Sequence, residues 1–466
     1  MVMRRTTQPL IALAGATLTA SLAVSIATVT LPALSREFAA PIASIQWVIL
    51  AYLVSTTVTI VLAGHLGDQF GNRRVLIIGT AIFALASAVC VGAPTLGVLV
   101  AGRAIQGLGG AVLLSLPLSV IRQVASKERT GSALGLLATM SAIGTALGPS
   151  VGGILISQFG WRAAFGGLTV LSVLVLGLSI QFIPEMPAGR RDRGMRADWL
   201  GAGLLAVTLI LYALATTGGH SVPSWIAVLL LPSTALAFVA FMIAELRADA
   251  PLVPFSILRN RPTAMALSAN LLVSTSMMST LVVGPYFLSF ALGLNDVSVG
   301  LVMAIGPMTA ALTGVLAGRA TDRFGAQPVV TVGLIEIVLG LVCLALLPRY
   351  LGVVGYIAAL VVLTPGFQLF IAANSTTVLL TAPANQRGLL SGLIGLSRNL
   401  GFMTGASVMT ALFAATVGSD EITRSSAGAV SEAFTTTFLA AAAATLLAAT
   451  LALVGQAAAV KSEDGA

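Results

Sequence analysis

The chain has 466 residues, of which 57% are hydrophobic and only 9% charged, with 24 Lys+Arg against 16 Asp+Glu. An ordinary soluble domain carries about 25% charged residues, and the mean hydropathy here is +1.01, so a cytosolic enzyme, a disordered chain and a secreted disulfide scaffold are excluded. What remains is an all-α polytopic membrane protein, in which lipid replaces water around most side chains.

A crossing takes about 20 apolar residues. Fourteen such runs follow one another: 9–32, 44–65, 74–94, 96–121, 131–157, 162–184, 198–218, 224–244, 262–291, 297–318, 328–348, 352–374, 387–416 and 434–457. The first, preceded by Arg4 and Arg5, could pass for a secretory signal. It is about twice the usual apolar length of one, and we read it as a span. With an even number of spans both termini share a side. The termini and the loops on that side carry 18 bases, among them Arg73, Arg74, Arg129, Arg323 and Arg387. The opposite loops carry 4, Arg36, Arg162, Arg349 and Arg424, and the remaining two, Arg103 and Arg398, fall within spans. The positive-inside rule then places both termini in the cytoplasm. It also accounts for the net charge of +8 without a nucleic-acid partner. All four tryptophans fall at span ends, where an indole prefers to sit. Cys90 and Cys343 lie in apolar runs and form no metal-ligand spacing. No cofactor or metal is expected.

The chain repeats. Gly64–Gly71 (GHLGDQFG) ends the second run and Gly318–Gly325 (GRATDRFG) ends the tenth, at an offset of 254. Arg129, Gly135, Gly144 and Gly148 are echoed by Arg387, Gly392, Gly401 and Gly405 at offsets of 257–258. Runs one to six thus correspond to runs nine to fourteen. This predicts an N-terminal six-helix bundle (1–184), a segment of loops and two inserted helices (185–255), and a C-terminal six-helix bundle (256–466). Parallel six-helix repeats are a transporter design with the site at the midplane between them.

Three motifs carry chemistry. GHLGDQFGNRR places Gly64, Asp68, Gly71, Arg73 and Arg74 in the loop after the second span, where a carboxylate can cap a helix N-terminus or pair with a base. LVAGRAIQGLGGA (Leu99–Ala111) places Arg103 inside an apolar helix. Such a cation must find partners in a cavity or snorkel to the interface. We expect Gln106 or backbone carbonyls of the first span to hold it. In GTALGPSVGG, Gly144, Gly148 and Gly152 form a smooth stripe, with Pro149 and Gly153 beside it.

These motifs, in this order over nearly the whole chain, resemble the major facilitator superfamily, and within it the fourteen-helix drug:proton antiporter branch. The resemblance implies a multi-pass protein of the bacterial inner membrane that exchanges protons for a small molecule. Its partners would be protons, substrate and the lipid bilayer, and it would act as a monomer. By the same resemblance, the Asp68 loop latches the cytoplasmic side against Arg129 and the start of the thirteenth span, with Asp322 and Arg323 in the repeated motif. The arginine at position 103 serves proton coupling, and the Gly144–Gly153 face seals the outer side between the bundles. Gln69 replaces the arginine usual after the motif's aspartate. Ala23 stands where the branch often has an acid, beside Ser21, Ser25 and Thr28.

Glu336 is the one acid set deep in a run. It is either a proton carrier or a neutral, hydrogen-bonded acid between peripheral helices. Ser25, Thr28, Gln106, Asn270, Met277, Gln368, Asn374, Arg398 and Asn399 are candidates to line the substrate cavity, with ordinary helix–helix hydrogen bonding as the other reading of each. The expected function is export of small organic or amphiphilic, drug-like compounds in exchange for protons. The alternative is a facilitator or importer of a small metabolite without proton antiport.

Overall fold

The computed structural model describes residues 2–124, 130–185, 198–217, 224–248, 260–380, 387–418 and 422–463, and these are helical nearly throughout. The long helices are α1 (Val2–Phe38), α2 (Trp47–Phe70), α3 (Asn72–Val91), α4 (Leu96–Val124), α5 (Thr130–Phe159), α6 (Trp161–Phe182), α7 (Trp199–Thr217) and α8 (Ser224–Arg247). They continue with α9 (Arg261–Tyr286), α10 (Asp296–Phe324), α11 (Ala326–Leu380), α12 (Arg387–Thr404) and α13 (Ala427–Glu463). A π-helical turn, Phe287–Ala291, prolongs α9, and a second, Gly405–Met409, leads from α12 into Thr410–Val417.

Among the described residues, 13 helices are long and apolar enough to cross a bilayer. The fourteen runs of the sequence become 13 because the eleventh and twelfth lie in one element. The apolar stretch of α11, Ala326–Val378, has 53 residues, about 80 Å of helix, against a hydrocarbon core of about 30 Å. Its backbone breaks at Gly352 (φ 53, ψ −131), a conformation glycine adopts without a Cβ clash. The two arms fold back on each other, with Gly340 against Leu363 and Gly333 against Phe370. The first run, expected to end at 32, extends further: α1 continues through Pro32 to Phe38.

The sequence repeat is also a repeat of backbone conformation. Gly71 (φ 91) and Gly325 (φ 83) close α2 and α10. Gly160 (φ 79) and Gly418 (φ 73) end the corresponding later helices. A positive φ stops a helix at little cost only in glycine. Polar caps begin α9 and α10, where the Asn260 and Asn295 side chains accept from the Thr263 and Ser298 amides.

Helices α1–α6 pack together, with α1 on α5 and α6, α2 on α4, and α3 on α4 and α6. In a second group, α9 packs on α12 and α13, and α11 on α10 and α13. The groups meet chiefly where α10 lies along α5, with lesser contacts of α1 with α9 and of α2 with α12. Helices α7 and α8 form a hairpin against α2, and Tyr212 of α7 donates a hydrogen bond to Thr404 of α12 at 3.0 Å.

Candidate functional site

Two kinds of contact join the groups at the end of α1 that carries Arg36. Polar contacts come first. The Arg36 guanidinium is 3.3 Å from Asp296 of α10, donates to Ser289 after α9 and lies 5.0 Å from the Phe290 ring centroid. Ser35 and Tyr286 approach to 3.4 Å beside it. Close backbone packing is the second. A Cβ on Gly153 would stand 2.5 Å from the Asp296 carbonyl oxygen and 3.1 Å from Gly300 Cα, and one on Gly300 would collide with Pro149. The two helices touch here only because neither carries a side chain.

The glycine motif therefore has two faces. Gly144, Gly148 and Gly152 do not face the other group. They abut Leu18 and Ser21, Ser25, and Ile26 of α1 within their own group. Pro149 and Gly153, on the neighbouring face, meet α10. A stripe at four-residue spacing identifies a close helix neighbour without saying which neighbour it is.

Arg103 is fully buried, so it does not snorkel. Its Nε donates to the Val48 carbonyl at 2.8 Å, its terminal nitrogen to Gln106, and its guanidinium lies 4.3 Å from the Tyr52 ring centroid. Gln106 passes the chain on, donating to Ser87 at 2.6 Å. The carbonyl comes from the start of the second span, not from the first as the sequence reading expects. Position explains this, because α4 packs far more closely on α2 than on α1. Tyr52 was not among the candidates. No spacing signals a ring in one helix that stacks on a cation in another.

Several expected cavity residues tie helices together instead. Asn270 donates to Ser397 at 2.7 Å and to the Ile394 carbonyl at 3.0 Å, joining α9 to α12. Asn374 donates to the Ala266 carbonyl, joining α11 to α9. Ser25 bonds carbonyls of its own helix and that of Gly144, while Thr28 donates to Ser25. All four are buried, as is Gln106. A buried amide or hydroxyl must be satisfied, and a neighbouring helix supplies the partner. Met277, Gln368 and Asn399 are half-buried, and Arg398 is exposed.

Glu336 is half-buried on the first arm of α11, against Gly366 of the second arm and beside the exposed Val332, Ile335 and Leu339. It is thus peripheral. At the opposite end from Arg36, Arg73 is 3.2 Å from Glu185 and donates to the Ile180 carbonyl, both within its own group. Gly64 is half-buried, Gly71 buried, and Arg74, Asp322 and Arg323 exposed, with Arg323 near the Phe324 ring. The expected latch partners, the Asp68 side chain, Arg129 and the Arg387 side chain, lie outside the described residues. Among the described residues no group of His, Cys, Asp and Glu is placed to hold a metal.

Residues 13–406 match the Major Facilitator Superfamily. The chain is 30% identical over 404 residues to the multidrug resistance protein Stp of Mycobacterium tuberculosis, covering 84% of this chain and 72% of that one. It is 25% identical over 394 residues to the riboflavin transporter RibZ of Clostridioides difficile, covering 84% of each. A crystal structure of the peptide transporter POT in complex with sulfate superposes with a TM-score of 0.71 at 13% identity, over 96% of this chain and 95% of that one. That likeness concerns the fold. A family match across most of the chain, on a structure built of apolar helices in two repeated groups, makes this protein a membrane transporter that belongs to the Major Facilitator Superfamily.

Proposed function

We propose that the protein is a secondary active exporter of small organic or amphiphilic compounds, working by alternating access in exchange for protons. It would cross the bacterial inner membrane fourteen times, as a monomer, with both termini cytoplasmic. Residues 1–184 and 256–466 would act as the moving bundles, and 185–255 as the inserted segment. The observation that carries this reading is the closure at the Arg36 end, where an ion pair and a glycine seam join the groups. On the positive-inside reading of the bases that end would face the exterior, and the conformation would be the one sealed from that side. Bonds such as Arg36–Asp296 have to break in each cycle, whereas Asn270–Ser397 need not. The buried Arg103–Gln106–Ser87 chain is the proposed coupling site, and the similarity to Stp supports a drug-like cargo.

The test is dye efflux in inverted membrane vesicles energised by a proton gradient. Dye should accumulate with the gradient and leave when it is collapsed; movement indifferent to the gradient would overturn the reading. A facilitator or importer of a metabolite is favoured by Ala23 in α1, by the similarity to RibZ and by the peripheral position of Glu336. That reading expects counterflow of substrate without proton movement.

A further inference from the structure

Seven helices supply the contacts between the two groups or flank them: α1, α2, α4, α5, α9, α10 and α12. Their acids are Glu37, Asp68, Asp296 and Asp322, and every one sits in the first or last turn of its helix. Three charged side chains lie more than one turn inside these helices: Arg103, Arg398, and Arg319 near the end of α10 that carries Arg323. Arg103 is fully buried and held by Val48, Gln106 and Tyr52. Arg398 differs: it is exposed, and among the described residues no hydrogen bond or ion pair engages it.

The direction in which Arg398 points follows from its neighbours on α12. Gly401 and Gly405 pack on Leu271 and Thr275 of α9. Thr404 is bonded to Tyr212 of the inserted hairpin, and Met403 touches Thr57 of α2. At about 100° per residue, Arg398 lies about 60° from Gly401, on the side away from Thr404. Round the helix the order is hairpin, α9, Arg398, half-buried Phe402 and Asn399, then α2. Helices α9 and α2 belong to different groups, so the exposed Arg398 sector opens onto the space between the groups, opposite the hairpin. Along the axis it sits about 16 Å from the Arg387 end and about 28 Å from Val417, at 1.5 Å per residue, well away from either helix end.

The repeat sharpens the point. At the offset that pairs Gly144 with Gly401, Arg398 corresponds to Ser141 of α5. The Ser141 hydroxyl is 2.8 Å from that of Ser21, a satisfied helix–helix contact. One repeat thus has a neutral, partnered group at this position and the other a permanent cation facing the cleft. An unpaired guanidinium within the membrane-spanning part of a protein is costly unless water or a counter-ion meets it, and its planar fork suits carboxylate-like groups.

We infer that the cleft selects amphiphilic organic anions, with the substrate's carboxylate or sulfonate paired to Arg398 and its apolar body against Phe402. This rests on the transport reading of the cleft but not on proton exchange. The test uses the purified full-length protein and two dyes of similar ring system, anionic fluorescein and a cationic rhodamine ester. Binding is measured by fluorescence anisotropy for wild type, Arg398→Gln and Arg398→Lys. Wild type should prefer fluorescein by about tenfold or more, Arg398→Gln should lose about tenfold or more of that affinity, and Arg398→Lys should keep most of it. Preference for the rhodamine, binding of neither dye, unchanged fluorescein binding in Arg398→Gln, or equal losses in the Gln and Lys variants would each overturn the inference. Should Arg398→Gln fail to fold, the wild-type preference and the Lys variant still decide it. Fluorescein movement is then followed in proteoliposomes. Arg398-dependent binding with movement indifferent to the proton gradient would leave the anion site standing and remove the proton-exchange reading alone.

Discussion

Replacing Gly153 by alanine isolates one element of the closure at the Arg36 end. The added Cβ would stand 2.5 Å from the Asp296 carbonyl oxygen and 3.1 Å from Gly300 Cα, both backbone atoms of α10. Ordinary contact begins near 3.4 Å, so α10 must move off α5 by about 1 Å, and no side-chain rotation can relieve the clash. Overpacking of this kind costs about 1–3 kcal/mol. Because the cost falls only on conformations closed at this end, it becomes a population shift of about 5- to 150-fold. Gly148→Ala provides the contrast. Its Cβ would meet Ser25 Cβ at 2.6 Å and the Ile26 amide nitrogen at 2.9 Å, inside one group, so every conformation suffers alike. The assay is a spin-label distance between Gln158 and Asn295, both exposed at this end on opposite groups, in a background without Cys90 and Cys343. Gly153→Ala should move the distribution to longer distances with little change in melting temperature, and Gly148→Ala should lower the melting temperature with the distances unchanged. An unaltered distribution in Gly153→Ala, or a loss of stability equal to that of Gly148→Ala, would refute the two-faced reading of the motif.

Asp296→Asn should favour opening at the same end by less than about 1 kcal/mol, since the pair with Arg36 is partly exposed; the difference from wild type in the same distance measurement should fade at high salt. Asn270→Ala removes two hydrogen bonds that join α9 to α12, while Ser397 still donates to the Ile394 carbonyl; at about 0.5–1.5 kcal/mol for each bond it should lower the unfolding temperature in detergent. Glu336→Gln should retain most of the proton flux accompanying transport, because the side chain lies between the arms of α11 at the periphery; loss of proton flux with substrate binding intact would make it the carrier.

Much of this architecture can be read from the chain because membrane helices announce themselves by length and apolarity. The apolar runs and the repeated motifs needed no tertiary information. The break at Gly352 is different, since nothing in the apolar run says whether a short connection will be a loop or a single kinked residue. At the site, Gln106, one turn from Arg103 on the same helix, was legible as one of two possible partners, whereas burial and snorkelling stayed open. The bond of Arg103 to Val48 and the ring of Tyr52 were not legible, because they depend on which helices become neighbours. The same limit explains Asn270 and Asn374. A polar residue in an apolar helix points to a partner, and only the packing tells whether that partner is substrate or another helix. Arg36 and Asp296 are far apart in the chain, and their pairing across the groups is beyond what sequence spacing can show.

The seam between Gly153 and Gly300 also bears on how readily this end can close. Where interlocking side chains make a gate, closing freezes rotamers at about 0.5–1.5 kcal/mol for each rotamer-rich side chain. Two glycines have no rotamers to lose, so backbone docks on backbone with almost no side-chain entropy surrendered. Closure at the glycines then resembles the meeting of two smooth rails rather than the meshing of gears. Its equilibrium should depend on temperature mainly through the few side chains around Arg36.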